Sequence, residues 1–150
     1  DSGAYSWQFF LDALEREVAR ARRQKAELAL AVLELRALPQ TEGITPRAHR
    51  LIGSHMARIV RRTDLVGRIG EASYAAFLHN TGPRPALIAA GRIADALRED
   101  TQLSSCLSFS IGVSGWEGEG LLEVSSLLAQ AEEAASEASQ GGAGRTFVYV

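Results

Sequence analysis

Residues 27–35 read Glu-Leu-Ala-Leu-Ala-Val-Leu-Glu-Leu, a run that is apolar except at Glu27 and Glu34. A short apolar run between polar residues is typical of a β-strand that is buried on both faces. Such a strand needs helices on both sides of its sheet, because each face must be shielded from water. The stretch therefore predicts the central strand of an α/β domain.

The rest of the chain supplies the elements that this strand needs. Apolar residues recur at helical spacing in four segments, which are residues 5–23, Pro46 to about Val60, the stretch after Pro85, and Leu121 to Ala135. Strand-like runs occupy residues 64–69, 73–78, 107–113 and 146–150. The predicted order is αβαββαβαβ, which favours a sandwich with a mixed central sheet covered by helices.

Some details of this pattern set expectations for individual residues. The Gly70-Glu71-Ala72 segment separates two strand-like runs, so we expect a hairpin with its tip near residue 71. Trp7 and Leu121 begin the apolar stripes of the first and last helices and are expected to face the core. Cys106 is the only cysteine, which excludes a disulfide framework and a multi-cysteine zinc site, and we expect it to be a core thiol.

The composition is that of an ordinary globular domain. With 150 residues, 46% of them hydrophobic, the chain has the size of one compact domain. Its net charge of -2 gives no reason to expect nucleic-acid binding or direct membrane contact. Because no apolar run is long enough to cross a bilayer and no signal-peptide pattern begins the chain, we expect a cytoplasmic location. The abrupt start at Asp1 favours a single domain (1–150) excised from a longer multidomain protein, whose other parts can tether it to a membrane.

Four motifs, taken in order, resemble one family. Residues 1–10, Asp-Ser-Gly-Ala-Tyr-Ser-Trp-Gln-Phe-Phe, are similar to the opening of GGDEF domains, in which an aspartate precedes Leu-Thr-Gly-Leu and Asn-Arg. Residues 68–75, Arg-Ile-Gly-Glu-Ala-Ser-Tyr-Ala, stand where that family has Arg-x-Gly-Gly-Asp/Glu-Glu-Phe-Ala. Residues 110–113 match its Ser-Ile-Gly-Val strand, and residues 131–134, Ala-Glu-Glu-Ala, resemble its Ala-Asp-x-Ala helix. The chain thus resembles a degenerate GGDEF domain, which implies the nucleotidyl-cyclase type of α/β sandwich.

The resemblance also implies that catalytic groups are missing. Family members with activity are diguanylate cyclases, which join two GTP molecules with the help of metal ions. The metal-ligand positions correspond to Glu34 and to Ala72, which has no oxygen to offer, and Arg36 adds a repulsive positive charge nearby. Glu71 replaces a glycine that lets the backbone approach phosphates, and Ser139 replaces a phosphate-binding lysine. With the signature reading Gly-Glu-Ala-Ser-Tyr at 70–74, we expect no enzyme activity, no Mg²⁺ and no other cofactor.

One motif is kept. Arg61-Arg62-Thr63-Asp64 reads Arg-x-x-Asp, and five residues separate Asp64 from Gly70, as in the family's inhibitory site for cyclic di-GMP. An arginine fork matches the O6 and N7 acceptors of guanine, and a carboxylate suits its N1–H and N2–H donors. The resemblance gives Arg61 the first role and Asp64 the second. The alternative is that the two side chains only pair with each other at a helix–strand junction, a contact worth about 0–1 kcal/mol.

Two further arginines stand where family members supply extra contacts to cyclic di-GMP. Arg92 matches the helix position that completes the pocket on the same subunit. Arg20 matches the position from which a neighbouring domain reaches the same ligand. The alternative for each is a solvated helix charge. The three histidines have no spacing typical of metal ligands, so a transition-metal site is not expected.

The leading hypothesis is therefore a catalytically inactive GGDEF domain that acts as a receptor for cyclic di-GMP. The ligand is expected to bind as an intercalated pair of molecules, to promote a ligand-dependent homodimer, and to regulate an attached domain or a partner protein. A first alternative is a structural pseudoenzyme that dimerises or docks a protein without nucleotide. A second is a weak diguanylate cyclase or GTP-binding domain.

Overall fold

A computed structural model of the chain describes residues 4–140 and the backbone of 146–149. Within these residues the helices α1 to α5 are Trp7–Gln24, Pro46–Ile59, Pro83–Glu99, Thr101–Ser104 and Val124–Gln140. The strands β1 to β5 are Leu28–Ala37, Leu65–Gly70, Ser73–His79, Leu107–Trp116 and Thr146–Tyr149. None of these helices combines the length and the hydrophobicity needed to cross a bilayer. Residues 1–3 of the opening motif and Val150 of the predicted last strand lie outside the described residues.

The strands form one sheet in the order β2-β3-β1-β4-β5. β1 pairs antiparallel with β3 and with β4, and β3 pairs antiparallel with β2. β5 lies parallel to β4, which makes the sheet mixed. The α/β class, the central position of the apolar run and the hairpin between β2 and β3 were predicted and are confirmed.

Helices cover both faces of the sheet, and β1 contributes to both cores. Leu30 and Val32 pack with residues of α1 and α5, whereas Ala31 and Leu33 pack with residues of α2 and α3. This alternation follows from the two-residue period of a strand. Glu34, the next even-numbered residue, therefore continues on the side of α5.

Gly112 of β4 determines how closely α5 approaches the sheet. A Cβ atom at this position would lie 2.1 Å from the backbone N of Ala135 and 2.3 Å from the carbonyl O of Ala131. The hydroxyls of Ser110 and Ser114 donate to the carbonyls of Ala135 and Leu127 at 3.0 and 2.7 Å. The Ser-Ile-Gly-Val segment thus fixes α5 directly on the strand backbone, which sets where the end of α5 meets the end of β1.

Two residues expected in the core lie at the surface. Trp7 is 40% exposed, because the buried face of α1 is centred on Phe10 and Leu14. Leu121 is 86% exposed and precedes α5, which begins only at Val124. Its neighbour Leu122 is buried instead, whereas the other members of the predicted stripe lie in or against the core, namely Val124, Leu128, Ala131 and Ala135.

Three local features also differ from the predicted pattern. Helix α3 begins at Pro83 and not after Pro85, since prolines in the first turn need no amide partner. The short helix α4 was not predicted; the side chain of Asp100 caps it by accepting from the N–H of Gln102 at 3.0 Å. Cys106 is only half-buried at the edge of the core, because it ends the turn that follows α4.

Candidate functional site

The end of β1 lies beside the tip of the β2–β3 hairpin. Glu34 is opposite Ser73 on β3 and opposite Ser110 on β4, and the N–H of Leu35 donates to the carbonyl of Ala72 at 2.8 Å. The two positions that the resemblance assigns to metal ligands, 34 and 72, are thus neighbours. Burial raises the pKa of the Glu34 carboxyl, the nearby Glu132 raises it further, and Arg36 opposes both effects.

Arg36 lines a small cavity at this end of β1. Its Nη2 donates to the hydroxyl of Ser139 on α5 at 2.9 Å. Glu34, Ser108 and Ser110 complete a small cavity of about 100 Å³ beneath it. Across residues 4–140, no group of three or more His, Cys, Asp or Glu side chains is arranged to hold a metal ion. A guanidinium bonded to a hydroxyl therefore stands where the resemblance implies metal and phosphate.

The hairpin tip is closed by Arg68. Its Nε donates to the carbonyl of Gly70 at 3.0 Å, and its Nη2 donates to that of Glu71 at 2.9 Å. On the inner side, the hydroxyl of Tyr74 lies 2.8 Å from Nδ1 of His49. Burial, assisted by the positive charge of Arg68, lowers the pKa of His49, and burial raises the pKa of Tyr74. Arg68 therefore stabilises the turn through these two hydrogen bonds, and His49 of α2 contacts the hairpin through Tyr74.

Asp64 ties the turn after α2 to the end of β3. Its Oδ2 accepts from the backbone N–H of Arg61 at 2.8 Å, and its Oδ1 accepts from the backbone N–H of His79 at 2.8 Å. The side chain is only 2% exposed, so these two backbone donors and the surrounding protein shield its carboxylate from solvent. The Nε of Arg61 lies 3.6 Å from the same carboxylate, which is the mutual pairing that the sequence left open.

The guanidinium of Arg61 lies above this carboxylate and faces outward. Its side chain is 59% exposed. Its Nη2 donates to the carbonyl of His79 and to the hydroxyl of Thr81, the latter at 2.5 Å. Thr81 in turn donates to the carbonyl of His79 at 2.8 Å. Arg61 is therefore accessible but oriented by the loop between β3 and α3.

Three of the four predicted ligand residues line one pocket. Arg61, Asp64 and Arg92 surround a concave volume of about 350 Å³ between the end of α2, the β3–α3 loop and the first half of α3. Arg92 is exposed and forms no hydrogen bond or ion pair with any residue of the stretch 4–140. The remaining walls are mainly apolar. A purine-sized ligand with anionic groups matches this combination of guanidiniums and aliphatic surface.

Arg20 lies outside that pocket. It belongs to α1, is 51% exposed and pairs with Glu17 at 3.6 Å. Glu17 also lies 3.9 Å from Nδ1 of His79, the residue whose backbone holds Arg61 and Asp64. The fourth predicted residue is thus on an adjacent surface and does not line the pocket of the other three.

Several lining residues of the pocket were not predicted from the sequence, among them Thr81 and Ile88. Thr81 lies in the loop Asn80-Thr81-Gly82, where the sequence pattern indicated only a connection between β3 and α3. Ile88 is 67% exposed on α3, one turn before Arg92. The helical spacing of Ile88 and Arg92 is readable in the sequence, but only the folded chain shows that both face Arg61.

Comparison with known proteins identifies the fold family. A family model described as the diguanylate cyclase GGDEF domain matches residues 2–145. The FimX GGDEF domain of Pseudomonas aeruginosa is similar, with 20% identity, a TM-score of 0.82, and 98% of this chain and 95% of that chain covered. An active GGEEF domain of a Vibrio cholerae diguanylate cyclase has 16% identity and a TM-score of 0.79, with 99% and 98% covered.

A third solved structure contains a ligand. The GGDEF domain of DgcB from Caulobacter crescentus, solved in complex with c-di-GMP, has 18% identity and a TM-score of 0.79, with 97% of this chain and 88% of that chain covered. The sequence has no significant match among curated proteins. At these identities the solved structures establish the fold, whereas the family model matches nearly the whole sequence. The chain therefore belongs to the GGDEF domain family.

Proposed function

We propose that this GGDEF domain is a receptor for cyclic di-GMP and does not synthesise it. The observation that supports this best is the shared pocket of Arg61, Asp64 and Arg92. One guanidinium of this pocket can read a purine edge and the other can attract a phosphodiester, and cyclic di-GMP contains both groups. The complex of DgcB with c-di-GMP supports the proposal, because a domain of the same fold binds this ligand.

Each pocket side chain has a role that suits guanine. The fork of Arg61 would donate to O6 and N7, and Arg92 would attract a phosphodiester. Asp64 is nearly enclosed, but each of its oxygens accepts only one short hydrogen bond from the backbone and so keeps a lone pair. Its contact with N1–H and N2–H requires Arg61 to turn away from the loop carbonyl of His79. We therefore expect binding to reorient the Arg61 side chain.

The end of β1 does not fit a magnesium–triphosphate complex. A hard cation needs several oxygen ligands at fixed positions. Ala72 presents a methyl group at one of the two ligand positions, and Arg36 holds a positive charge beside the remaining carboxylate of Glu34. The exposed carboxylate of Glu71 adds repulsion toward a triphosphate. On this account neither cyclase activity nor a metal cofactor is expected.

Arg20 suits a contact between two domains. Because it is exposed and does not line the pocket, it is available to ligand held by a neighbouring copy. An intercalated pair of cyclic di-GMP molecules would then be shared by two domains in a ligand-dependent homodimer. The dimer would pass the signal to an attached domain or a partner protein in the cytoplasm.

A second candidate function has one observation in its favour. Tyr5, Trp7 and Phe9 are 42%, 40% and 50% exposed near the start of α1, and the ring centroids of Tyr5 and Phe9 lie 4.4 Å apart. Exposed aromatic residues are enriched at protein interfaces. A structural module that docks a protein without nucleotide is therefore the alternative to the receptor.

Substitution of Arg61 tests the proposal against this alternative. Arg61→Ala removes the fork that would read guanine, and we expect cyclic di-GMP affinity to fall about ten- to hundred-fold. The matched control is Arg62→Ala, because Arg62 is exposed and adjacent but does not line the pocket. Equal affinities of the two variants in calorimetric titrations would contradict the assigned site. No binding by the wild type would leave the docking module as the better account.

A further inference from the structure

Ile88 is a large aliphatic side chain that α3 presents to solvent. It is 67% exposed, whereas the neighbouring helix residues Ala86 and Ala90 are fully buried. A single exposed aliphatic residue is common on protein surfaces and needs no explanation by itself. Its position distinguishes it, because it lies on the rim of the pocket that contains Arg61 and Arg92.

The groups around Ile88 define what can lie on it. Ile88 and Arg92 are four residues apart on α3 and therefore occupy one helix face. Arg61 lies across the pocket, with its guanidinium held toward Thr81. Leu78 extends the apolar wall toward the sheet. A planar group placed here would have cationic donors at its edges and aliphatic surface against its face.

We infer that Ile88 is a contact residue for cyclic di-GMP and supports the face of one guanine. This inference rests on the proposed function and adds a residue to its site. A purine offers hydrogen-bonding edges, which Arg61 and Asp64 can read, and two apolar faces, which hydrogen bonds cannot serve. When Ile88 covers a purine face, apolar surface of both the ligand and Ile88 is removed from water. Ile88 thus contributes to affinity, while the hydrogen bonds of Arg61 and Asp64 to the purine edges determine which base is bound.

Truncation of Ile88 tests the contact by affinity. With Ile88→Ser we expect cyclic di-GMP to bind about five-fold more weakly, or about 1 kcal/mol. Leu121→Ser is the matched control, because Leu121 is an equally large aliphatic residue that is 86% exposed and does not line the pocket. Ile88→Leu, which keeps the apolar surface, should retain most of the affinity. Thermal unfolding of each variant checks that the domain is folded, which the exposure of both sites favours.

Methyl resonances give a second, independent readout on the wild-type chain. With isoleucine δ1 methyl groups labelled, cyclic di-GMP should shift the Ile88 signal upfield, because the methyl then lies over an aromatic ring. The Ile69 signal, from the hairpin side of the molecule, should not move. A wild type that binds while Ile88→Ser binds equally well, or while the Ile88 signal stays in place, overturns this inference alone. A wild type that does not bind overturns the proposed function and this inference with it.

Discussion

The carboxylate of Asp64 accepts the backbone N–H of His79 at 2.8 Å and thereby joins the start of β2 to the end of β3. Its other oxygen accepts the N–H of Arg61, and the side chain is 2% exposed. A buried carboxylate with two backbone donors is a structural cross-link as well as a candidate ligand group. Substitutions of Asp64 are therefore expected to change both stability and ligand affinity. Substitutions of the exposed Arg61 are expected to change mainly ligand affinity.

Asp64→Ala should destabilise the domain. The backbone N–H of His79 would lose its acceptor, at a cost of about 1–3 kcal/mol for a buried donor left unpaired, and the exposed N–H of Arg61 would lose its acceptor as well. The free energy of unfolding in urea measures this loss. Asp95→Ala is the control, because the side chain of Asp95 is 68% exposed and pairs with the exposed Arg98. Equal stability of the two variants would show that the Asp64 cross-link contributes nothing.

Gly112→Ala should destabilise the domain by about 3 kcal/mol or more, because the added Cβ would overlap the backbone of α5. The control is Gly91→Ala in α3, where a Cβ would meet nothing within 4 Å. That change should leave stability unchanged or raise it, since alanine favours a helix over glycine. The pair is compared by urea or thermal unfolding. A stable Gly112→Ala variant would contradict the close packing of α5 on β4.

Arg92→Gln should weaken cyclic di-GMP binding most at low salt. Arg92 forms no hydrogen bond or ion pair within residues 4–140, so its charge is available to a phosphodiester. Salt screens such an exposed attraction, and the difference between variant and wild type should shrink as ionic strength rises. Arg84→Gln is the control, because Arg84 is also exposed on α3 but does not line the pocket. Titrations at several salt concentrations would refute the role if the Arg92→Gln and Arg84→Gln curves coincide.

The pair of His55 and Asp100 should make stability depend on pH. His55 Nε2 lies 2.8 Å from Asp100 Oδ2, and this hydrogen bond is the main cause that lowers the pKa of the Asp100 carboxyl. Because the folded pKa lies below the ordinary value of 3.8, the ionised Asp100 carboxylate stabilises the fold above that pH. The contribution is lost as pH falls through the folded pKa.

Asp100→Asn should therefore be less stable than the wild type at neutral pH, and the gap should narrow as pH is lowered below 3.8. Unfolding free energies measured over a pH series give both curves. Asp95→Asn serves for comparison, since Asp95 is exposed and has no histidine partner among residues 4–140. A constant gap for Asp100→Asn across the series would contradict the role of the ionised carboxylate.

The sequence predicted the sheet because apolar runs mark buried strands and turn residues mark the connections between them. The strand at 27–35 follows from its continuous apolar run, and the hairpin around residue 71 follows from its glycine-containing turn. Leu121 was misassigned because its neighbour Leu122 offers an equally apolar side chain, and only packing decides between them. Helix α4 is capped by the side chain of Asp100, a contact that a pattern of apolar residues does not reveal.

The candidate site was predictable only where a motif marks it. The resemblance to the family marked Arg61, Asp64 and Arg92 as candidates. The burial of Asp64 could not be read from the sequence, because its partner His79 is fifteen residues away and donates through the backbone. Thr81 and Ile88 belong to the pocket through tertiary packing alone.

Parallel calorimetric titrations of the wild-type chain with cyclic di-GMP and with GTP plus Mg²⁺ test the central claim most directly. The account predicts saturable binding of cyclic di-GMP and neither heat nor product from GTP. Formation of cyclic di-GMP from GTP, or the absence of heat with cyclic di-GMP itself, would contradict it.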